Sequence, residues 1–142
     1  KVKSMVSFTK GEGFGRPLLE FSLTGKPIIV SGWSGHVDFL HKDYVSLLPG
    51  SLEKVHPTAA NNWLIEEAQW FKVDDNTSIK RIKEVYKKYK QYHKLSQKQK
   101  YHAKKNFSYD KMVEIVNKSL EKNVPEMAQQ VKLNLSQLTK VD

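Results

Sequence analysis

Hydrophobic and polar positions change their period near residue 76. Before that point, short apolar runs alternate with glycine-containing and polar turns, and we predict strands over Val2–Phe8, Pro27–Val30 and Val45–Leu48. Short runs that are apolar on both faces and separated by a helical segment are typical of parallel strands buried on both sides. The pattern therefore predicts an α/β fold with a parallel sheet of about three strands and flanking helices.

The segment between the first two strands, Arg16–Leu23, has helical character. Pro17 suits the first turn of a helix, because backbone N–H groups there have no acceptor within the helix and proline lacks this group. Gly25 suits the position after a helix C-terminus. Farther on, Ser51–Asn62 carries weak signals and is predicted as a loop. Trp63–Val73 is predicted as a short helix that leads into a strand or turn.

Apolar positions recur every three or four residues after Asn76, as in an amphipathic helix. Ile79, Ile82, Val85, Tyr86 and Tyr89 follow this spacing, with Asn76 or Thr77 as the N-cap. Further helices are predicted over Leu95–Lys105, Ser108–Lys122 with Ser108 as its cap, and Glu126–Leu138 after Pro125. The chain thus divides into an α/β half-domain at 1–75 and a basic helical extension at 76–142 that packs on the same domain.

Positive charge is concentrated in that extension. The chain carries 24 Lys+Arg against 15 Asp+Glu, and the segment Lys80–Asn123 alone has 14 basic and 4 acidic residues. Lys80, Lys83, Lys87, Lys90 and Lys94 are predicted to share one face opposite Ile79, Ile82, Tyr86 and Tyr89, as on a solvated surface. The same charge would attract an anionic membrane surface. We do not expect nucleic-acid binding, because no recognised module accompanies the charge.

Composition excludes several kinds of chemistry. The chain has no cysteine, which rules out disulfides, thiolate metal ligands and cysteine nucleophiles. No apolar run approaches the roughly 20 residues of a membrane span. The five histidines form no metal-ligand pattern with carboxylates, so we expect no bound metal. We expect a cytoplasmic protein, with peripheral membrane contact as a side hypothesis.

The chemistry is concentrated in the turn Gly11–Gly15 and the helix after it. This turn follows a predicted parallel strand, at the edge of the sheet where open α/β folds bind ligands. Glycines allow close approach of a ligand, and the amides of Leu18 and Leu19 could bind a phosphate. The Glu12 and Glu20 carboxylates could each accept two hydroxyls of a sugar. The spacing matches neither the dinucleotide fingerprint nor the P-loop.

This turn, the Glu12–Glu20 spacing, Gly25-Lys26-Pro27 and the loop Ser34–Phe39 together resemble the C-terminal domain of a known enzyme family. The family is the retaining glycosyltransferases of GT-B fold, in the group that contains the glycogen-synthase and sucrose-synthase type enzymes. The resemblance covers about residues 2–48 and implies a partial Rossmann-like sheet. It also implies transfer of a sugar from a nucleotide-diphosphate sugar to a hydroxyl acceptor with retained configuration, without metal or other cofactor.

The resemblance implies a role for each residue of the turn. Glu12 would contact the donor sugar and support the reacting centre as the catalytic residue. The residues implied to bind the donor are Gly13, Phe14, Gly15 and Arg16 at the sugar, Leu18 and Leu19 at the diphosphate, and Glu20 at the ribose. His36 is expected to be a loop or capping residue. Trp63 and Trp70 are expected in the core or in an interface.

The resemblance further implies an acceptor-binding N-terminal domain and a basic pair upstream that neutralises the diphosphate. Neither is in this chain, so we expect the fragment alone to be inactive. The acceptor would be a saccharide or lipid. We also expect self-association through an open strand edge. Two alternatives remain: a nucleotide-sugar epimerase of the same fold, and a non-enzymatic module that holds an anionic surface through Lys80–Lys105.

Overall fold

A three-stranded parallel sheet forms the centre of the protein. The computed structural model describes residues 2–61, 63–65 and 67–125. The strands are β1 (Met5–Ser7), β2 (Ile28–Ser31) and β3 (Ser46–Leu48), in the order β1-β2-β3. Both pairings are parallel, with Val6 opposite Ile29 and Val30 opposite Leu47. The predicted α/β class with three parallel strands is confirmed, although β1 is much shorter than the predicted Val2–Phe8.

A β-hairpin follows the sheet where a loop and a helix had been predicted. Strands β4 (Gly50–Lys54) and β5 (Gln69–Val73) pair antiparallel. The loop prediction is therefore wrong for Ser51–Lys54. The described residues between Trp63 and Val73 form no helix, although the predicted strand at the end of that segment exists. All five β4 residues are exposed. A strand without a buried face shows no apolar alternation, so its sequence resembles a loop.

The described residues contain four α-helices. They are α1 (Arg16–Ser22), α2 (Asp75–Lys87), α3 (Tyr89–Asn106) and α4 (Tyr109–Asn123). The N-cap of α2 is Asp74, two or three residues before the predicted Asn76 or Thr77. Its carboxylate accepts a hydrogen bond of 2.6 Å from the Thr77 amide. The predicted Ser108 cap of α4 is confirmed, with Ser108 Oγ 3.2 Å from the Lys111 amide.

The sheet is buried on both faces. Successive residues of β2 point to opposite sides, so Ile28 and Val30 join one core and Ile29 joins the other. The first core also contains Leu18, Phe39, Leu40 and Val45, and the second contains Leu48, Phe71, Val73 and Val85. Each such side chain stabilises the fold by about 1.5–3 kcal/mol through burial. These two cores explain why Ile28, Ile29 and Val30 of β2 are all apolar.

Most of the predicted apolar face of α2 is exposed, although Val85 of that face is buried. Helix α2 buries Ser78 and Val85, whereas Ile79 is 51% and Tyr86 is 85% exposed. The helix also ends at Lys87, and Lys88 adopts φ −105° and ψ 32° before α3 starts. The five lysines predicted on a solvated face are all exposed, but this break divides them between two helices, so they do not share one helical face. Lys90 and Lys94 belong to α3.

The apolar face of α4 lies at the surface. Its residues Met112, Ile115, Val116 and Leu120 are between 46% and 55% exposed, and no residue of α4 is buried. The helix predicted at Glu126–Leu138 lies outside the described residues. Across the described ranges, no helix has both the length and the apolar character that crossing a membrane requires.

Candidate functional site

The turn between β1 and α1 and the loop after β2 meet at one edge of the sheet. Because β1 and β2 are parallel, the segments that leave their carboxyl ends emerge on the same side. The turn contains Glu12, and the loop contains Ser34 and Gly35. The hairpin also contacts this edge, since the Phe71 amide of β5 donates to the Lys10 carbonyl at 3.0 Å. The sequence-predicted ligand edge is therefore built from three parts of the chain.

Hydrogen bonds join the turn to the loop. The Glu12 amide donates to Ser34 Oγ at 2.8 Å, and Ser34 Oγ donates to the Glu12 carbonyl at 2.6 Å. The Gly35 amide donates to the same carbonyl at 3.0 Å. A Cβ on Gly35 would collide with the Gly13 carbonyl group, whose carbon would lie 2.7 Å away. Only glycine permits this approach of the two segments.

The Glu12 carboxylate is half-exposed. Its Oε1 accepts a hydrogen bond of 3.2 Å from Thr9 Oγ1, which also lies 3.2 Å from the Gly11 carbonyl. An ionised carboxylate offers about four acceptor positions. Glu12 therefore has a fixed backbone and acceptor capacity for the hydroxyls of a ligand.

Helix α1 begins at a left-handed glycine. Gly15 is the N-cap with φ 81° and ψ 46°, and its carbonyl accepts bonds from the Leu18 amide at 2.9 Å and the Leu19 amide at 3.2 Å. The two amides implied to hold a diphosphate thus already donate within the helix. A phosphate would have to share them as the second acceptor of a three-centre bond.

Arg16 and Glu20 pair on the exposed face of α1. Arg16 Nε donates to Glu20 Oε1 at 2.7 Å, and the two side chains are 83% and 59% exposed. Exposed pairs four residues apart stabilise a helix by only about 0.3–0.5 kcal/mol. The structure therefore places Arg16 against Glu20, the residue that the resemblance implies to bind the ribose. A ligand with stronger contacts can displace the guanidinium.

A surface cavity of about 380 Å³ connects α1 to the end of α3. Its lining includes Phe14, Arg16 and Glu20 from the predicted site, together with Lys104 and Phe107. Lys104 is a cation in the lining of this cavity that the motif did not predict. It arrives through the packing of α1 on α3, and its position in a lysine-rich helix carries no local signal of this proximity.

His36 is a packing residue beneath the turn. Its side chain is buried, and Nε2 lies 2.7 Å from the Ser31 carbonyl, so Nε2 carries a proton. Its Nδ1 is buried and has no hydrogen-bond partner among the described residues. A Cβ on Gly15 would lie 3.0 Å from the His36 Cβ. His36 was expected in a loop or a cap, but it lies in a short 3-10 helix, Gly35–Asp38, and supports the turn from below.

Neither of the two tryptophans that were expected in the core or in an interface is fully buried. Trp63 is 95% exposed, which excludes it from the core of this domain. Trp70 is half-buried in β5, and Lys10 Nζ lies 3.6 Å from the centre of its ring. That cation–π contact joins the hairpin to the start of the glycine-rich turn.

Charge on the helices is unevenly paired. Glu84 of α2 lies 3.2 Å from Lys88, just after the helix, and 3.6 Å from Arg81. The hydrogen bond from Lys88 is the main cause that holds the pKa of Glu84 below its usual value. In α4, Lys111 and Lys118 lower the pKa of Glu114 to about 2. Helix α3 contains six lysines and no acidic residue. Within the described part of the chain, none of these six forms an ion pair with a carboxylate.

The described residues contain no group of three or more His, Asp or Glu side chains that could hold a metal ion. Comparisons of the chain with protein-family models, with curated proteins and with solved structures found no match. The candidate site therefore consists of the turn, its partner loop and the helix that follows.

Proposed function

We propose that this chain is the donor-binding part of a retaining glycosyltransferase. The observation that supports this most strongly is the junction at the carboxyl end of the sheet. There the backbone of Glu12 is held by Ser34 and Gly35 while its carboxylate keeps acceptor capacity. A fixed carboxylate beside glycine backbone suits recognition of sugar hydroxyls. The sequence resemblance over residues 2–48 supports the same function.

In this proposal each carboxylate recognises a different part of a nucleotide-diphosphate sugar. Glu12 accepts hydroxyls of the sugar, and the backbone of Gly13–Gly15 lies along the same group. Glu20 accepts the two ribose hydroxyls and gives up its contact with Arg16. The released guanidinium then neutralises the diphosphate, which is the anion that such a side chain binds well.

The proposed reaction exchanges one bond at the anomeric carbon for another. The bond to the diphosphate oxygen breaks, and an acceptor oxygen bonds to the same face of the sugar. The acceptor proton leaves with the diphosphate. The acceptor, a saccharide or lipid, would be held by a domain outside this chain.

Ligand-observed NMR with UDP-, GDP- and ADP-sugars tests the proposal. One donor should bind, and Glu20→Ala should weaken it by about 10–100-fold, because hydrogen bonds to a charged group contribute about 1.5–3 kcal/mol. Glu121→Ala, an exposed carboxylate on α4, is the matched control and should bind as the unmodified chain does. Equal binding by the Glu20 and Glu121 variants would contradict the proposal.

A second candidate is attachment to an anionic surface through Lys80–Lys105. It is favoured by the six lysines of α3, which have no acidic neighbour in their helix and no carboxylate partner among the described residues. Co-sedimentation with phosphatidylcholine vesicles, with and without phosphatidylserine, tests it. Binding should need phosphatidylserine, weaken with salt and fall in a Lys90/Lys94/Lys98→Gln variant. Binding that survives these lysine substitutions would reject this surface.

A further inference from the structure

Ser34 has an unusual backbone for a residue with a side chain. Its φ of 88° and ψ of −176° fall in a region that is used almost entirely by glycine. It is the one residue other than glycine with positive φ in the described ranges. Strain of this kind persists only where the surroundings hold it in place, and it concentrates at functional sites. The serine side chain must therefore provide something that glycine could not.

The side chain provides a double hydrogen bond to one residue of the opposite segment. Ser34 Oγ accepts from the Glu12 amide at 2.8 Å and donates to the Glu12 carbonyl at 2.6 Å. With the Gly35 amide at 3.0 Å from that carbonyl, both backbone polar groups of Glu12 are fixed. The two residues are 22 positions apart in sequence, so local backbone preference does not produce this contact.

The contact fixes the backbone of one of the two candidate glutamates. Glu12 is bonded to the loop after β2, whereas Glu20 lies on α1 and bonds to Arg16. A change at Ser34 should therefore alter the position of the Glu12 carboxylate and leave the surroundings of Glu20 intact. This separation makes the role of Ser34 testable.

We propose that Ser34 is a positioning residue that holds Glu12 so that its carboxylate meets the sugar of a nucleotide-diphosphate sugar. The inference rests on the proposed function, because it assigns the sugar to Glu12 and the nucleotide to Glu20. In this proposal Ser34 itself contacts neither the sugar nor the nucleotide. Its hydroxyl restricts the Glu12 backbone. Only the side-chain torsions of Glu12 then remain to be ordered when the ligand binds.

The experiment compares affinities of the full chain for a nucleotide-sugar and for the same nucleotide diphosphate without sugar. The ratio of the two reports recognition of the sugar. Ser34→Gly removes the hydroxyl and also relieves the strain, so the variant should fold. In this variant the ratio should fall about 10-fold, which corresponds to the loss of one hydrogen bond to a charged group. The affinity for the nucleotide diphosphate should stay the same.

A double-mutant cycle separates positioning from a structural role. Glu12→Gln should lower the same ratio, and adding Ser34→Gly should lower it no further, because Ser34 acts through Glu12. Losses that multiply, or a Ser34→Gly variant with an unchanged ratio, would overturn the inference.

Amide hydrogen exchange supplies a readout that needs no ligand. The Glu12 amide should exchange at least about 10-fold faster in Ser34→Gly, since its acceptor is removed. An unchanged exchange rate overturns the positioning role even if donors bind. Absence of donor binding by the unmodified chain, together with faster exchange in the variant, rejects the proposed function instead.

Discussion

The glycine-rich turn and helix α4 are neighbours, but the turn is fixed by contacts with distant residues whereas α4 buries no residue. Phe14 of the turn and Met112 of α4 line one apolar groove of about 440 Å³. The turn Gly11–Gly15 is bonded to the loop after β2 and packs on His36. Helix α4 has a strong apolar stripe and an N-cap but no buried residue. A clear sequence pattern thus predicted a helix in α4 without predicting what covers it.

This difference shows that periodicity and burial are separate properties. The stripe of α4 is as regular as any in the chain, yet its side chains remain about half exposed. The turn has no periodicity, yet its position is determined by contacts with distant residues. Stability should therefore be sensitive to the turn and its core and insensitive to the exposed face of α4.

The largest expected effect comes from a matched pair of leucines. Leu18 in α1 is 2% exposed, and Leu120 in α4 is 52% exposed. Leu18→Ala leaves a cavity beneath the turn and should lower the free energy of unfolding by about 2–5 kcal/mol. Leu120→Ala should change it by no more than about 0.5 kcal/mol. Urea denaturation measures both, and comparable losses would mean that the α4 face is covered in solution.

The next effect concerns the close approach of the two segments at the site. Gly35→Ala puts a methyl group into the Gly13 carbonyl and should destabilise the protein by about 1–3 kcal/mol. Gly13→Ala is the control, because a Cβ there meets nothing within 4 Å. Thermal unfolding of the two variants should differ accordingly. Equal melting temperatures would show that the segments do not approach as described.

Removal of the α4 cap should have a smaller, local effect. Ser108 Oγ accepts from the Lys111 amide, and Ser108→Ala should reduce the stability of the helix by about 1 kcal/mol. Because α4 buries no residue, the loss should appear as faster amide exchange within Tyr109–Asn123. Exchange in β2 should stay the same. A parallel change in β2 would show that α4 unfolds together with the sheet.

The smallest expected effect is a pH dependence near the junction of α3 and α4. Burial, with a contribution from His41, lowers the pKa of His102 below 6.5. Between the lowered folded value and 6.5 the unfolded chain binds more protons, so stability falls as pH drops through this range. His102→Gln should reduce that fall. Urea denaturation at pH 7.5 and at lower pH measures it, and identical pH slopes would remove His102 as the cause.

Much of the fold was predictable because its signals are local. The continuous apolar run of β2 predicted a strand buried on both faces, and Pro17 and Gly25 marked the limits of α1. Ser108 was correctly predicted as the cap of α4. The hairpin was missed because β4 is exposed on both faces, and the cap of α2 was displaced to Asp74 because several polar residues compete at that position.

The candidate site was only partly predictable. The residues Glu12 and Glu20 were identified by their spacing within one segment, and their roles stay a prediction. The contribution of Ser34 as an anchor of Glu12 was not foreseen, because the two residues are 22 positions apart and meet through the parallel pairing of β1 and β2. Lys104 was missed for the same reason, since the packing of α1 on α3 places it in the cavity that Glu20 also lines.

The sequence by itself determined the elements whose signals lie within a few residues: the apolar strands, the capped helices and the glycines of the turn. Tertiary structure decided which faces are buried, where the lysines of α2 and α3 lie, and how Ser34 holds Glu12. The physical reason is that burial and hydrogen bonding between distant segments depend on the partner as much as on the segment. A helix such as α4 can therefore present an apolar face with no described partner, while a turn without periodicity is held in place.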